Sequence, residues 1–385
     1  MAKYTEFYRG RRKKKNYAFI PFVILVILIT AVVVVFYAMQ KYAVISDTGV
    51  HIVIPGFNDE KMVVDDYGNE TKYFEDVHVD LIFDEPDYSN VKAVAGEHLK
   101  PVRAIFVPAE DLYEEKLLEY VGRLNLGKAL VLEMKPRSGI LMWNSTASEA
   151  VNYGLSTPTV TTEAMPGLIA KMREQKKDLY LVAQISCCLD ELYASRCTTV
   201  TLRNAYGANY LDTEGTWLDP YNSNLRDYVV ELVRELYDLG FDEVVLADVA
   251  HPKVPLANDG TKMELVYTKQ MSTAPSAVNA VCGFATYVAD QLRDREGVLS
   301  IYCDSKLALV KPDPENGQDA VLFMKVFDRV YLETDKYAYP YNVSDIESNV
   351  ELGDIYQRLV PVVQNYLPED SDKVSWILVD VNSED

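Results

Sequence analysis

The fold is decided by the stretch Asn222-Ser-Asn-Leu-Arg-Asp-Tyr-Val-Val-Glu-Leu-Val-Arg-Glu-Leu-Tyr-Asp-Leu-Gly-Phe-Asp-Glu-Val-Val-Leu-Ala-Asp248. Its first half predicts a helix, because apolar side chains that share one face recur at Leu225, Val229, Leu232, Val233, Leu236 and Leu239. Asn222 or Ser223 is suited to cap that helix, and Gly240 to end it. Residues 242–248 follow as an apolar run without polar alternation, which is typical of a buried parallel strand.

The same alternation of helix and strand extends in both directions. Six further strands are predicted, at residues 102–107, 129–134, 179–185, 298–303, 329–333 and 374–381. Helices are predicted between them, the last over residues 354–366. Apolar strands separated by helices indicate a parallel sheet covered on both faces, and about seven repeats favour an α/β fold of the (β/α)8 TIM-barrel type over residues 102–385. The eighth strand is either hidden near residues 150–165 or missing.

A basic tail and a long apolar run precede the barrel. Residues 1–16 carry seven Lys and Arg, and residues 17–39 carry no charge. A helix of that length exceeds the thickness of a bilayer core, whereas a cleaved signal peptide has an apolar core of about 7–15 residues. We therefore expect a retained signal anchor in the cell membrane, a single-pass transmembrane helix with a cytoplasmic N-terminus and an extracellular C-terminal domain.

Residues 40–101 are predicted to form a juxtamembrane stalk. Within it, residues 42–46 and 50–55 flank the turn Asp47-Thr48-Gly49, which is typical of a short hairpin. The rest of the segment is acidic and rich in turn-forming residues, and no motif that carries chemistry occurs in it.

Composition excludes several classes of partner and site. The net charge of −20 argues against nucleic acid. The four histidines have no ligand-type spacing, so neither a metal nor a cofactor is expected. Cys197 could pair with Cys187 or Cys188, and Cys282 with Cys303, although five unevenly spaced cysteines argue against a disulfide framework. Nothing indicates an oligomeric state.

Polar side chains cluster where the predicted strands end, which is where TIM barrels carry their chemistry. The candidate catalytic residues are the carboxylates Glu133, Asp248 and Asp304. Carboxylates that converge on one mouth can protonate a glycosidic oxygen and activate water. The candidate substrate-binding residues are two polar side chains at strand ends and two aromatic residues suited to stack on sugar rings: Lys135, Gln184, Trp217 and Tyr337.

A family resemblance supports this interpretation. Trp217-Leu-Asp-Pro-Tyr-Asn222, followed by Leu239-Gly-Phe-Asp-Glu-Val-Val-Leu-Ala-Asp-Val-Ala-His-Pro252, resembles the central signature of the putative glycosyl hydrolase domain family of bacterial envelope proteins. The similarity covers roughly residues 102–340. It implies a glycosidase-like TIM barrel, and Lys135 and Asp304 fall on matching positions of the family pattern.

The chain also departs from that pattern. The family's acid in the fourth strand falls on Ala247 and its Arg on Ala250, while Gln184 replaces an Arg and Glu133 replaces an Asp. Asp248 is shifted by one residue, which reverses the direction of a strand side chain, so it can take the acid's role only if a bulge redirects it. Glu133 and Asp304 remain as a possible acid–base pair, and their strands are far enough apart to expect inversion.

The sequence thus predicts a membrane-anchored glycoside hydrolase-like protein that acts on cell-wall glycan or another extracellular polysaccharide. The alternative is a catalytically inactive barrel that binds glycan or serves as an envelope scaffold. An extracellular sensor is disfavoured, because residues 1–16 are too few for a folded signalling domain.

Overall fold

A computed structural model describes residues 99–124, 129–156, 160–254, 265–268, 276–333, 358–364 and 374–379, the single residues 263 and 367, and four short strands within residues 43–72. The basic tail and the expected membrane span at residues 17–39 lie outside the described residues. Among those that are described, no helix is both long and apolar enough to cross a bilayer. The chain divides into two units, Met1–Ile82 and Phe83–Asp385.

The first unit contains two antiparallel hairpins. Strand β1 (Ala43–Ser46) pairs with β2 (Gly49–Ile52), and Ser46 lies opposite Gly49, in the segment where the sequence predicts a hairpin. Strand β3 (Met62–Val64) pairs with β4 (Glu70–Lys72) in the same manner.

The second unit is a closed barrel of eight parallel strands. Their order around the barrel is β5 (Arg103–Val107), β6 (Ala129–Lys135), β7 (Tyr180–Ser186), β11 (Glu243–Ala247), β13 (Val298–Cys303), β14 (Arg329–Glu333), β15 (Leu359–Gln364) and β16 (Trp376–Val379). The barrel closes where Trp376 of β16 pairs with Arg103 of β5. The (β/α)8-type barrel expected from the sequence is therefore confirmed.

Helices flank the strands on the outside. Those described are α1 (Glu114–Arg123), α2 (Ser148–Asn152), α3 (Val160–Gln175), α4 (Glu191–Arg196), α5 (Ser223–Asp238), α6 (Ala277–Gln291) and α7 (Ala320–Val326). Helix α5 forms as predicted: the Asn222 side chain accepts the Leu225 N–H, and Gly240 follows with φ +98°. Between β7 and β11 lie the short strands β8 (Arg203–Asn204), β9 (Leu211–Asp212) and β10 (Gly215–Thr216), and β12 (Leu265–Val266) pairs with β8.

Two sequence predictions were wrong. The strand that the sequence did not identify is β15, which lies within the helix predicted at residues 354–366. Residues 150–165, where a hidden strand had been considered, contain parts of α2 and α3. Leu359-Val-Pro-Val-Val is rich in β-branched residues, and Pro361 would interrupt a helix. A strand buried on both faces has no polar alternation, and its apolar spacing can be mistaken for that of a helix.

The barrel contains a buried charge network near the N-terminal ends of the strands. Glu243, at the start of β11, is fully buried and pairs with Arg329, at the start of β14. Its carboxylate also accepts hydrogen bonds from Ser300 Oγ at 2.6 Å and Tyr331 OH at 2.8 Å through Oε1, and from Tyr180 OH at 2.9 Å through Oε2. Four strands are thereby tied to one carboxylate.

Replacement of Glu243 by Gln should destabilise the barrel strongly. Arg329 is 1% exposed, and without its anionic partner it would remain a buried charge without compensation, which costs roughly 3–5 kcal/mol. Urea unfolding of the purified full chain measures the change. The same substitution at the exposed Glu115 of α1 is the control, with an expected effect within about 0.5 kcal/mol. Equal effects of the two substitutions would contradict the role of the network.

Candidate active site

A cavity of about 280 Å³ opens at the C-terminal ends of the barrel strands. Four carboxylates from four different strand ends line it: Glu133, Asp248, Asp304 and Glu333. Its remaining walls include apolar and aromatic side chains from the strands, namely Phe106, Val131, Tyr302, Tyr331, Val362, Ile377 and Val379. The three carboxylates predicted to be catalytic therefore share one cavity.

Asp248 faces this cavity because the backbone turns immediately after β11. Its φ is +53°, which makes it the one non-glycine residue in the left-handed region within the described part of the chain. Aspartate tolerates that conformation better than most residues. Ala247 also lines the cavity. The turn therefore directs the Asp248 side chain into the cavity, although Asp248 lies one residue beyond the family's acid position at Ala247.

Both oxygens of the Asp248 carboxylate are engaged. Arg137 donates from Nε at 3.1 Å and from Nη2 at 2.7 Å to Oδ1. Ser186, the last residue of β7, donates from Oγ to Oδ2 at 2.6 Å. Two hydrogen bonds from a guanidinium group and one from a hydroxyl group hold the carboxylate in one orientation.

Glu133 lies beside a bulge in β6. Glu133 pairs with Gln184 of β7 whereas Lys135 pairs with Ile185, so that Met134 is an extra residue in the ladder. The Ala109 N–H donates to Glu133 Oε2 at 3.0 Å. Burial raises the pKa of Glu133 above its usual 4.5, and the nearby negative charge of Asp248 adds to the rise. Glu133 is therefore suited to exchange a proton at a higher pH than an ordinary glutamate.

Asp304 is held in place through Gln318. The Gln318 Oε1 atom accepts the N–H groups of Asp304 and Ser305, both at 3.1 Å, and its Nε2 donates to Val249 O at 3.1 Å. The ends of β13 and β11 are thus joined. Asp304 retains exposed surface, but the surrounding walls remove enough solvent to raise its pKa above the usual 3.8, and Asp248 and Glu333 raise it further.

The two predicted polar substrate-binding residues lie in the cavity wall. Gln184 is half-buried there. Lys135 is 2% exposed, its Nζ lies 2.7 Å from Asp190 Oδ2, and it donates to Ser186 O at 2.7 Å. Because Asp190 also caps α4 through the Tyr193 N–H, the ammonium group of Lys135 ties β6 to the loop after β7. This places Lys135 in a supporting position under Ser186.

Of the two aromatic residues predicted to bind substrate, only Trp217 lies within the described residues. Trp217 does not line the cavity: it is 6% exposed, packs in the hydrophobic core, and donates from Nε1 to Asp212 Oδ2 at 2.8 Å. It is therefore unavailable as a platform for a sugar ring, because its apolar ring is required in the core. Tyr337 lies outside the described residues.

Three further residues contribute to the site. Ser186 and Arg137 hold Asp248, and Gln318 holds the backbone at Asp304. They were not among the candidates from the sequence, because only the three-dimensional arrangement shows which atoms they contact.

The cysteines form no disulfides. All five are free and buried, so neither pairing considered from the sequence occurs. Within the described residues, no group of three or more His, Cys, Asp and Glu side chains is arranged to hold a metal ion.

Substitution of Asp248 by Ala should lower the free energy of unfolding more than substitution by Asn. Ala pays the steric cost of a left-handed backbone, about 1–2 kcal/mol, which Asn largely avoids. Gly has no Cβ and serves as the matched control, since Asp248→Gly relieves that cost while also removing the carboxylate. Denaturant unfolding of the three variants measures the order. Equal stability of the Ala and Gly variants would show that the backbone conformation carries no strain.

Comparison with known proteins places the chain in a family. A family model described as "Putative glycosyl hydrolase domain" matches residues 104–343. No curated protein matches.

Solved structures with a similar fold include the glycoside hydrolase domain of PgaB (BpsB) from Bordetella bronchiseptica, at 12% identity and a TM-score of 0.49 over 73% of this chain and 94% of that one. A hypothetical protein from Ruminiclostridium thermocellum is 20% identical, with a TM-score of 0.42 over 51% and 96%. Ega3 from Aspergillus fumigatus, in complex with galactosamine, is 9% identical, with a TM-score of 0.41 over 75% and 95%. Since the family model covers more than half of the sequence, the chain belongs to the putative glycosyl hydrolase domain family.

Proposed function

We propose that this protein is a glycoside hydrolase that cleaves a cell-envelope or extracellular polysaccharide by carboxylate acid–base catalysis, held at the outer face of the membrane by residues 17–39. The observation that carries the proposal is the convergence of Glu133, Asp248 and Asp304 on one cavity at the mouth of the barrel. Their surroundings differ: two are desolvated, and the third is paired with Arg137. Different environments let neighbouring carboxyl groups take different catalytic roles.

Asp304 is assigned as the proton donor. Its carboxyl group has a raised pKa and keeps exposed surface, and its Oδ1 accepts only a long hydrogen bond, 3.4 Å, from Asn316 Nδ2. Such a group can hold a proton and still reach a bound substrate. Asp304 gives that proton to the glycosidic oxygen as the bond to the anomeric carbon breaks.

Glu133 and Asp248 complete the reaction. Asp248, held by Arg137 and Ser186, faces the positive charge that develops at the anomeric carbon. Glu133 accepts a proton from the water that attacks this carbon. Asp304 follows β13 and Glu133 lies on β6, and β7 and β11 stand between these two strands. This separation leaves room for a water molecule, so the pair suits a reaction with inversion.

A glycan-binding barrel without catalysis is the second candidate. Ala247 and Ala250, at the family's acid and Arg positions, are both buried and cannot exchange a proton. Arg137 also occupies one oxygen of Asp248. On this reading the cavity would hold a sugar without cleaving it.

Activity of the purified full chain on wall glycans and aryl glycosides tests the assignment. Asp304→Asn should lower kcat by about 10²–10⁴ on substrates with poor leaving groups and far less on activated aryl glycosides, which need no proton. Glu133→Gln and Asp248→Asn should lower it on both. Glu115→Gln, at an exposed position that does not line the cavity, is the control.

The pH profile provides a second readout of the same assignment. A proton donor is active only while protonated, so activity should fall as the pH rises through the raised pKa of Asp304. This fall should disappear in Asp304→Asn with an activated substrate. Binding without hydrolysis by the wild-type chain would favour the non-catalytic candidate, and neither binding nor hydrolysis would refute both.

The membrane anchor is tested by deleting residues 17–39. The full chain should fractionate with membranes, and added protease should reach the barrel on intact cells, because the basic tail is retained inside. The deletion should release the protein from the membrane fraction. Replacement of the same residues by an unrelated apolar run of equal length should restore membrane association. Membrane association that survives the deletion would show that residues 17–39 are not the anchor.

A further inference from the structure

A continuous set of contacts leads from the core to Asp248. Trp217 donates from Nε1 to Asp212 Oδ2, and Asp212 Oδ1 accepts the Glu214 N–H at 2.8 Å. Glu214 lies between β9 and β10, and its carboxylate pairs with Arg137 Nη1. Arg137 then donates to Asp248 from Nε and Nη2. The hairpin of β9 and β10 therefore fixes the position of the guanidinium group.

Ser186 has two acceptors for a single hydroxyl proton. Its Oγ lies 2.6 Å from Asp248 Oδ2 and 2.8 Å from the carbonyl oxygen of Leu189, and the residue is 3% exposed. A buried hydroxyl that loses its only partner costs about 1–3 kcal/mol. Here the proton can turn to Leu189 O when Asp248 Oδ2 engages another group. Release of Oδ2 therefore leaves no unsatisfied hydroxyl.

We propose that Arg137 and Ser186 are positioning residues that hold the Asp248 carboxyl group in one orientation, and that Ser186 releases Asp248 Oδ2 to the substrate by turning its hydroxyl to Leu189 O. This inference rests on the proposed function, because it gives Asp248 Oδ2 the contact with the sugar. Glu214 acts on Asp248 indirectly, by orienting Arg137.

The arrangement distinguishes the two oxygens of Asp248. Oδ1 is fixed by a cation that is itself anchored on its other side by Glu214. Oδ2 is held by a neutral hydroxyl that has an alternative acceptor. The oxygen that can be released at low cost is therefore Oδ2. Sequence spacing alone could not assign this difference, since Arg137, Ser186 and Glu214 come from three separate segments.

Arg137 is the cation in direct contact with Asp248, with 2.7 Å between its Nη2 and Oδ1. Lys135, the other cation in the cavity wall, is paired with Asp190. Removal of the guanidinium group should therefore free Oδ1 and leave only Ser186 to orient the carboxyl group.

The test compares Arg137→Met, Arg137→Lys, Glu214→Gln and Ser186→Ala in the full chain. Arg293→Met is the matched control, because Arg293 is similarly exposed and pairs with Asp290 on α6. The readouts are the separation of kcat from KM and the orientation of the Asp248 carboxyl group in crystal structures of the variants.

Arg137→Met should lower kcat and turn the Asp248 carboxyl group away from its wild-type orientation. Arg137→Lys should restore part of both, Glu214→Gln should lower kcat by less than Arg137→Met does, and Arg293→Met should change neither. Ser186→Ala should lower kcat by about tenfold at an unchanged KM.

An Asp248 carboxyl group with the same orientation in the wild-type chain and Arg137→Met would overturn the role of Arg137. An unchanged kcat in Ser186→Ala would overturn the release step. Because crystal structures need no turnover, a reoriented carboxyl group in Arg137→Met, in a chain that cleaves no glycan, would refute the proposed function and leave the role of Arg137 intact.

Discussion

The barrel depends on one buried carboxylate. Glu243 accepts hydrogen bonds from side chains of β7, β13 and β14 and is fully enclosed near the N-terminal ends of the strands. Burial raises the pKa of Tyr180 and Tyr331, so that both hydroxyls remain donors at neutral pH. A charge in this position is tolerated only when every partner is present, which fixes the relative register of these strands. The opposite end of the same strands then carries the cavity.

The site contains two energetically unfavourable features, and the rest of the barrel stabilises them. Three carboxyl groups interact electrostatically at the mouth, and Asp248 adopts a backbone conformation that a non-glycine residue rarely takes. Both features cost stability locally, and the surrounding structure must impose them. The hydrophobic core and the Glu243 network supply that constraint from a part of the barrel that performs no chemistry.

Much of the fold could be predicted from the sequence, because helix caps and apolar runs are local signals. The strands at residues 298–303 and 329–333 were placed at their observed bounds. The eighth strand, Leu359–Gln364, could not be recognised in the same way, since periodicity alone does not distinguish a short apolar strand from a segment of a buried helix. The carboxylates of the site were predicted because strand ends are known positions in a barrel, whereas the orientation of Asp248 depends on a single torsion angle. Trp217 was misjudged because an aromatic residue in a loop-rich segment gives no sign of whether it faces the core or the solvent.

The burial of all five cysteines affects how the protein resists oxidation outside the cell, where we propose that it works. Burial raises the pKa of Cys187, Cys188 and Cys303, and for Cys188 the value is about 12. Oxidants react with the thiolate, which these groups rarely form in the folded barrel. The native protein can therefore persist in an oxidising environment without a single disulfide. Before the barrel closes, adjacent thiols such as Cys187 and Cys188 are accessible, so the unfolded chain is the form that oxidants can cross-link.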